Sequence, residues 1–186
     1  MSPHPAIGLL EVSSLARGLV VTDAVVKRAA VTILGSHPIS PGRYLTLFRG
    51  GVAEVEEAFA AGEETGREVL VDSLLLPAAH EQVLEALGRG RPKPPALEAL
   101  GIVETWSVAA ALLSADAACK AAEVELLELR LAHGLGGKGL WVVTAELHDV
   151  EAALDAARGI LRPEVLVRLE VIPRPHPDLL EHLWQV

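Results

Sequence analysis

Cysteine is almost missing: the 186 residues contain one, Cys119. A single thiol excludes an intramolecular disulfide and a cysteine-built metal site within one chain. It fits a reducing cytosol, and Cys119 itself is expected as a small buried residue on a helix. Aromatic residues make up only 3%, so the interior has to be assembled from Ala, Val, Leu and Ile. No apolar run reaches the roughly 18 residues of a membrane-spanning helix, and no charged stretch leads into an apolar segment and cleavage site. Neither a membrane span nor a signal peptide is therefore expected. Basic charge is short as well, with 16 Lys and Arg against 25 Asp and Glu and a formal net charge of −9. Phosphate neutralisation needs a basic face, so nucleic acid is not an expected partner. One segment runs against this, GRGRPKPP at 88–95, which resembles the core of minor-groove hook peptides. In an acidic chain, between two repeats, it reads as a solvated connector stiffened by proline.

What the chain does have is aliphatic surface. Half of it is hydrophobic, 51%, and the mean hydropathy of +0.36 is high for a water-soluble protein. That surplus has an outlet in contacts between chains.

The chain is also written twice, which decides the fold before any motif does. A shift of 93 places lays Glu11 on Glu104, Ser14 on Ser107, Asp23 on Asp116, Lys27 on Lys120 and Val31 on Val124. Further on the shift becomes 95, pairing Gly42 with Gly137, Leu45 with Leu140 and Glu56 with Glu151. It ends at 96, where LLLPAAH (74–80) meets EVIPRPH (170–176). Two domains are expected, over 1–92 and 93–186.

Within the first copy, IGLLEV, VTILGSH, YLTLF and VLVDSLLL read as strands. Residues 16–30 and VAEVEEAFAAG read as helices, with HEQVLEAL as a short closing helix. The second copy repeats the order, with strands IVETWSV, VELLELRL, LWVVTAEL and VLVRLEVI, helices over 109–122 and 147–161, and a tail helix PDLLEHLW. The expected class is α+β, an α/β sandwich in which helices pack on a sheet containing antiparallel pairs, of ferredoxin-like order. Two strands in each copy meet through a tight linker: SHPISPGRY in the first, AHGLGGKG in the second. Their Pro and Gly content marks sharply turning backbone.

A search for catalytic groups comes back empty. There is no metal-binding His-Glu-x-x-His, no nucleophile elbow and no Walker loop. GLGGKG (134–139) could cradle a phosphate, but it joins two strands and does not open a helix, so it lacks the dipole such sites use. Asp23/Lys27 and Asp116/Lys120 read as i,i+4 ion pairs on a wet helix face. His80 and His176, each just ahead of a helix, read as capping or packing residues and not as metal ligands.

Taken together, DAVVKRAAV and DAACKAAEV, the two loops, GIVETWSVAAAL (101–112) and VIPRPH (171–176) resemble the BMC domain of bacterial microcompartment shell proteins. The likeness runs through the whole chain, so it is similar to a tandem-domain trimeric shell protein, including the trimer of propanediol-utilisation shells whose pore loop carries an iron–sulfur cluster. The resemblance implies a catalytically inert homotrimer in a cytoplasmic microcompartment shell: three two-domain chains close into a flat pseudohexameric tile with a central pore for small polar metabolites. It places Ile39, Ser40, Pro41 and Gly42 on the pore rim, with Leu135, Gly136 and Gly137 nearby. It places Lys27, Lys120 and Arg174 at the edges where a tile meets other shell proteins. The first copy departs from the pattern, having Ala78 where the arginine belongs. Ser40 stands where the cluster-bearing relative has cysteine; iron–sulfur clusters want thiolates, so no cofactor is expected. His37 and His133 flank the loops and are candidates for an ion site on the axis. A reading from another class stays open, a small-ligand-binding regulatory trimer or an enzyme with sites between subunits, using GLGGKG and the histidines.

Overall fold

The structure, a computed structural model, describes residues 5–88, 98–132 and 134–182, with side chains to 179. The connector at 89–97 and His133 lie outside the described residues. The chain divides into two compact units. One comprises residues 1–81 with 132–137, the other 82–131 with 138–186.

In the first unit, β1 (Ala6–Val12), α1 (Leu15–Arg28), β2 (Thr32–Ile39), β3 (Arg43–Gly50), α2 (Val52–Gly66) and β4 (Leu70–Leu76) follow in order. Every strand pairing is antiparallel and the strand order is β2-β3-β1-β4. This is the ferredoxin-like arrangement that the sequence implied. Alternation along β1 sends Ala6, Leu10 and Val12 into a core shared with Val21 and Val25 of α1, Tyr44 and Phe48 of β3, and Val55 and Ala58 of α2. Ser14 begins α1, its hydroxyl accepting from Arg17 N at 3.3 Å as an N-cap.

The second unit contains α3 (Glu81–Gly88) from Gln82 on, β5 (Ala99–Thr105), α4 (Val108–Ala121), β6 (Glu125–Leu131), β7 (Gly139–Ala145), α5 (Leu147–Ile160), β8 (Leu166–Ile172) and α6 (Pro177–His182). Its sheet is ordered β6-β7-β5-β8, again antiparallel throughout. Ser107 caps α4 as Ser14 caps α1, accepting from Ala110 N at 3.1 Å. His176 precedes α6 and accepts from Asp178 N at 3.3 Å, the capping role read from the sequence. Gln82, on a helix that follows the first repeat's last strand, donates to Val124 O and accepts from Leu126 N, both at 2.8 Å. Its amide thus meets the backbone at the outer strand of the second sheet.

Three expectations shift. The helix read as ending at Gly62 runs on to Gly66; Gly62 is there for space, since a Cβ would lie 2.3 Å from Leu10 Cδ1 and 2.9 Å from Val25 Cγ2. The strand read as IVETWSV stops at Thr105, because Trp106 N turns to Val165 O and Ser107 begins the helix. The third concerns the paired carboxylates. Asp23 and Lys27 are on a wet face, 55% and 73% exposed, but Asp116 is only 5% exposed beside a Lys120 that reaches solvent.

That difference extends along the helix. In α4, Val108, Leu112 and Cys119 are buried, at 0%, 0% and 6% exposure. Their equivalents in α1, Leu15, Leu19 and Val26, are 45%, 62% and 45% exposed. One repeat has this face closed within the chain; the other leaves it bare.

Candidate functional site

Ile39 and Arg43 are cross-strand partners, so Ser40, Pro41 and Gly42 alone join β2 to β3. The Ser40–Pro41 bond is cis, and Gly42 sits at φ 73°, a left-handed backbone that suits glycine. Ser40, Pro41 and Gly42 are exposed, whereas Ile39 is 6% exposed and points into the protein. In the second linker Ala132, Gly134, Gly136 and Gly137 all adopt positive φ. Gly134 and Gly136 are exposed and Leu135 is half-buried.

The two linkers meet. A Cβ on Gly137 would lie 2.9 Å from Ser40 O and 3.1 Å from Pro41 Cδ. With φ at 91° as well, the position admits only glycine without strain. Of the residues singled out for this region, the structure therefore brings Ser40, Pro41 and Gly137 together, with Gly42, Leu135 and Gly136 on the same short segments.

The residue that directly follows each linker in sequence makes an ion pair that sequence reading missed. Arg43, the first residue of β3, donates from Nη1 to Glu11 Oε1 at 2.6 Å. Lys138 donates to Glu104 Oε1 at 2.7 Å and lies 4.7 Å above the Trp106 ring. Glu11 and Glu104 are the same position of the repeat, but their surroundings differ. The Glu104 carboxylate is 33% exposed; that of Glu11 is 0% exposed, and its Oε2 has no hydrogen-bond partner among the described residues. Burial pushes the Glu11 carboxyl above its ordinary value; Arg43 pulls the other way and Asp72, its partner on β4, adds to the rise. The signal was present in the strand IGLLEV, which carries one charge in an apolar run.

The other candidates are on other elements. Lys27 and Lys120 occupy the last turns of α1 and α4, and Arg174 is exposed between β8 and α6. Cys119 is buried on α4 and is not on either linker. Among the described residues no group of three or more His, Cys, Asp or Glu could hold a metal. Neither linker carries a thiol, Ser40 offering a hydroxyl, whereas iron–sulfur clusters are held by thiolates. Among the described residues no helix is long and apolar enough to cross a membrane.

Comparison with known proteins agrees with this architecture. The chain is similar to the bacterial microcompartment shell protein PduT of Citrobacter freundii, 42% identical over 181 residues, covering 97% of this chain and 96% of that one. It is similar to the carboxysome assembly protein CcmO of Synechococcus elongatus, 30% identical over 194 residues and covering 96% and 68% of the two chains. A microcompartment protein from Desulfitobacterium hafniense DCB has a crystal structure that superposes with a TM-score of 0.84 at 38% identity, covering 95% of this chain and 98% of that one. The family model of the BMC domain matches twice, over residues 6–79 and 99–175. With two such domains in tandem, the chain belongs to the BMC-domain family of bacterial microcompartment shell proteins.

Proposed function

We propose that this shell protein works as a homotrimer whose six BMC domains, divided near residues 92 and 93, close into a pseudohexameric tile. Ser40, Pro41 and Gly42 and the segment 135–137 rim a central opening that passes small polar metabolites. Lys27, Lys120 and Arg174 lie at edges shared with neighbouring shell proteins. The opening holds no iron–sulfur cluster, because Ser40 presents a hydroxyl. Ile39, being buried, supports the rim from beneath.

The observation that carries this reading is the inequality of the two equivalent helices. In a closed ring of chains, each chain has to present a face that its neighbour covers. Leu15, Leu19 and Val26 of α1 are 45–62% exposed where their equivalents in α4 are buried, which suits such an arrangement. Scattered exposed aliphatics need no explanation, but Leu15, Leu19 and Val26 share one helix face, a patch of the kind that partners cover. Sedimentation velocity tests the trimer, and electron microscopy of concentrated protein tests tiling. The expected results are a particle of three chains and sheets or tubes with hexagonal spacing. A lone chain of 19.7 kDa at working concentration would refute the proposal.

A further inference from the structure

We propose that Glu11 is the positioning residue of the linker at 40–42, and that its ion pair with Arg43 makes this linker, but not the one at 134–137, loosen as pH falls. Arg43 directly follows Gly42, so whatever fixes its side chain fixes the start of β3. Its carboxylate partner is fully buried, and one of its oxygens has no hydrogen-bond partner among the described residues. A buried, half-satisfied carboxylate costs free energy as an anion and gains by taking a proton. Among the described residues, the charged groups acting on Glu11 are Arg43 from β3 and Asp72 from β4. Asp72 repels the anion, so it favours the same protonation. Once Glu11 is neutral, Arg43 loses its ionic partner and keeps at most a neutral acceptor.

The second pair is built differently. Glu104 is one-third exposed, and Lys138 also rests on the Trp106 ring, so solvent screens the pair and a second contact holds the lysine. Each chain would then carry one linker that responds to proton concentration and one that does not. The bearing of this on an axial opening rests on the proposed tile.

The test is hydrogen–deuterium exchange on the full chain between pH 8 and 5, corrected for intrinsic rates. Exchange in segment 39–45 is expected to rise roughly threefold or more as pH falls, with segment 134–140 unchanged. Glu11→Gln should exchange fast in 39–45 at every pH, and Glu104→Gln should keep the wild-type profile there. A flat wild-type profile, an equal rise in both segments, or a Glu11→Gln profile that still follows pH overturns the proposal. If Glu11→Gln fails to fold, the unmutated chain decides: the carboxyl 13C shift of Glu11 must titrate at the midpoint of the exchange change, and a mismatch overturns the proposal. Sedimentation of the same samples separates the two readings. A flat profile in an intact trimer sinks the switch alone, whereas a pH-dependent profile in a monomer sinks the tile alone.

Discussion

Leu19 and Leu112 occupy the same position in the two repeats, and truncating each to alanine should produce opposite kinds of damage. Leu19 is 62% exposed in the chain and Leu112 is 0% exposed. Fully burying a leucine is worth about 1.5–3 kcal/mol, so covering the exposed part of Leu19 in an assembly contributes about 1–2 kcal/mol per contact. Leu19→Ala removes that, and alanine is at least as good a helix former, so the isolated chain should lose almost nothing. A loss of about 1–2 kcal/mol weakens each contact by roughly 5–30-fold. Leu112→Ala instead empties a packed site, costing about 2–5 kcal/mol of folding stability and lowering the melting temperature by about 4–20 °C. Sedimentation velocity over a dilution series reads the first effect, and thermal unfolding of dissociated protein reads the second. If Leu19→Ala melts as early as Leu112→Ala, or leaves the association constant unchanged, the idea that α1 presents a contact face is wrong.

Four further outcomes are expected. Gly18→Ala puts a methyl 2.3 Å from the Tyr44 ring; overpacking of about 1–3 kcal/mol should exceed the helix gain of up to about 1 kcal/mol, seen as a lower urea midpoint. Folding stability should fall as pH rises from the ordinary carboxylate range through Glu11's raised value. The native state holds the Glu11 proton more tightly than the unfolded chain does, so the unfolded chain binds fewer protons in that window; urea midpoints across pH should show the slope, and Glu11→Gln should remove it. Lys27→Asp combined with Lys120→Asp should abolish hexagonal sheets in electron micrographs while leaving trimers in sedimentation. Ser40→Cys, reconstituted anaerobically with iron and sulfide, should yield a brown trimer absorbing in the visible, which the parent chain does not.

Much of the architecture was legible because it is periodic. The strands stand out as short apolar runs, and the doubling of Glu11, Asp23 and Lys27 onto Glu104, Asp116 and Lys120 fixed the repeat and its α+β class. Spacing is silent about what lies above a helix. Asp116 and Lys120 are four residues apart, as Asp23 and Lys27 are, yet only the first pair has a buried carboxylate. Pairs remote in sequence were likewise invisible. Glu11 meets Arg43 across 32 residues, and no local pattern announces which cation a lone strand carboxylate will find. The approach of Gly137 to Ser40 was readable only as two glycine- and proline-rich linkers, since close packing of backbone leaves no mark beyond the small residue that permits it.

The amide of Gln82 has a consequence for how the chain can be divided. Unmet strand edges invite other strands, and proteins that live at high local concentration have most to lose from that. Here two backbone groups beside β6 are occupied by a side chain encoded before the sequence repeat begins again. A fragment starting at residue 93 would carry the second sheet intact but stripped of its guard, free to stitch itself to its own kind. The fusion of two domains in one polypeptide thus does more than fix their number: it supplies the second sheet's outer strand with a side chain that occupies its backbone.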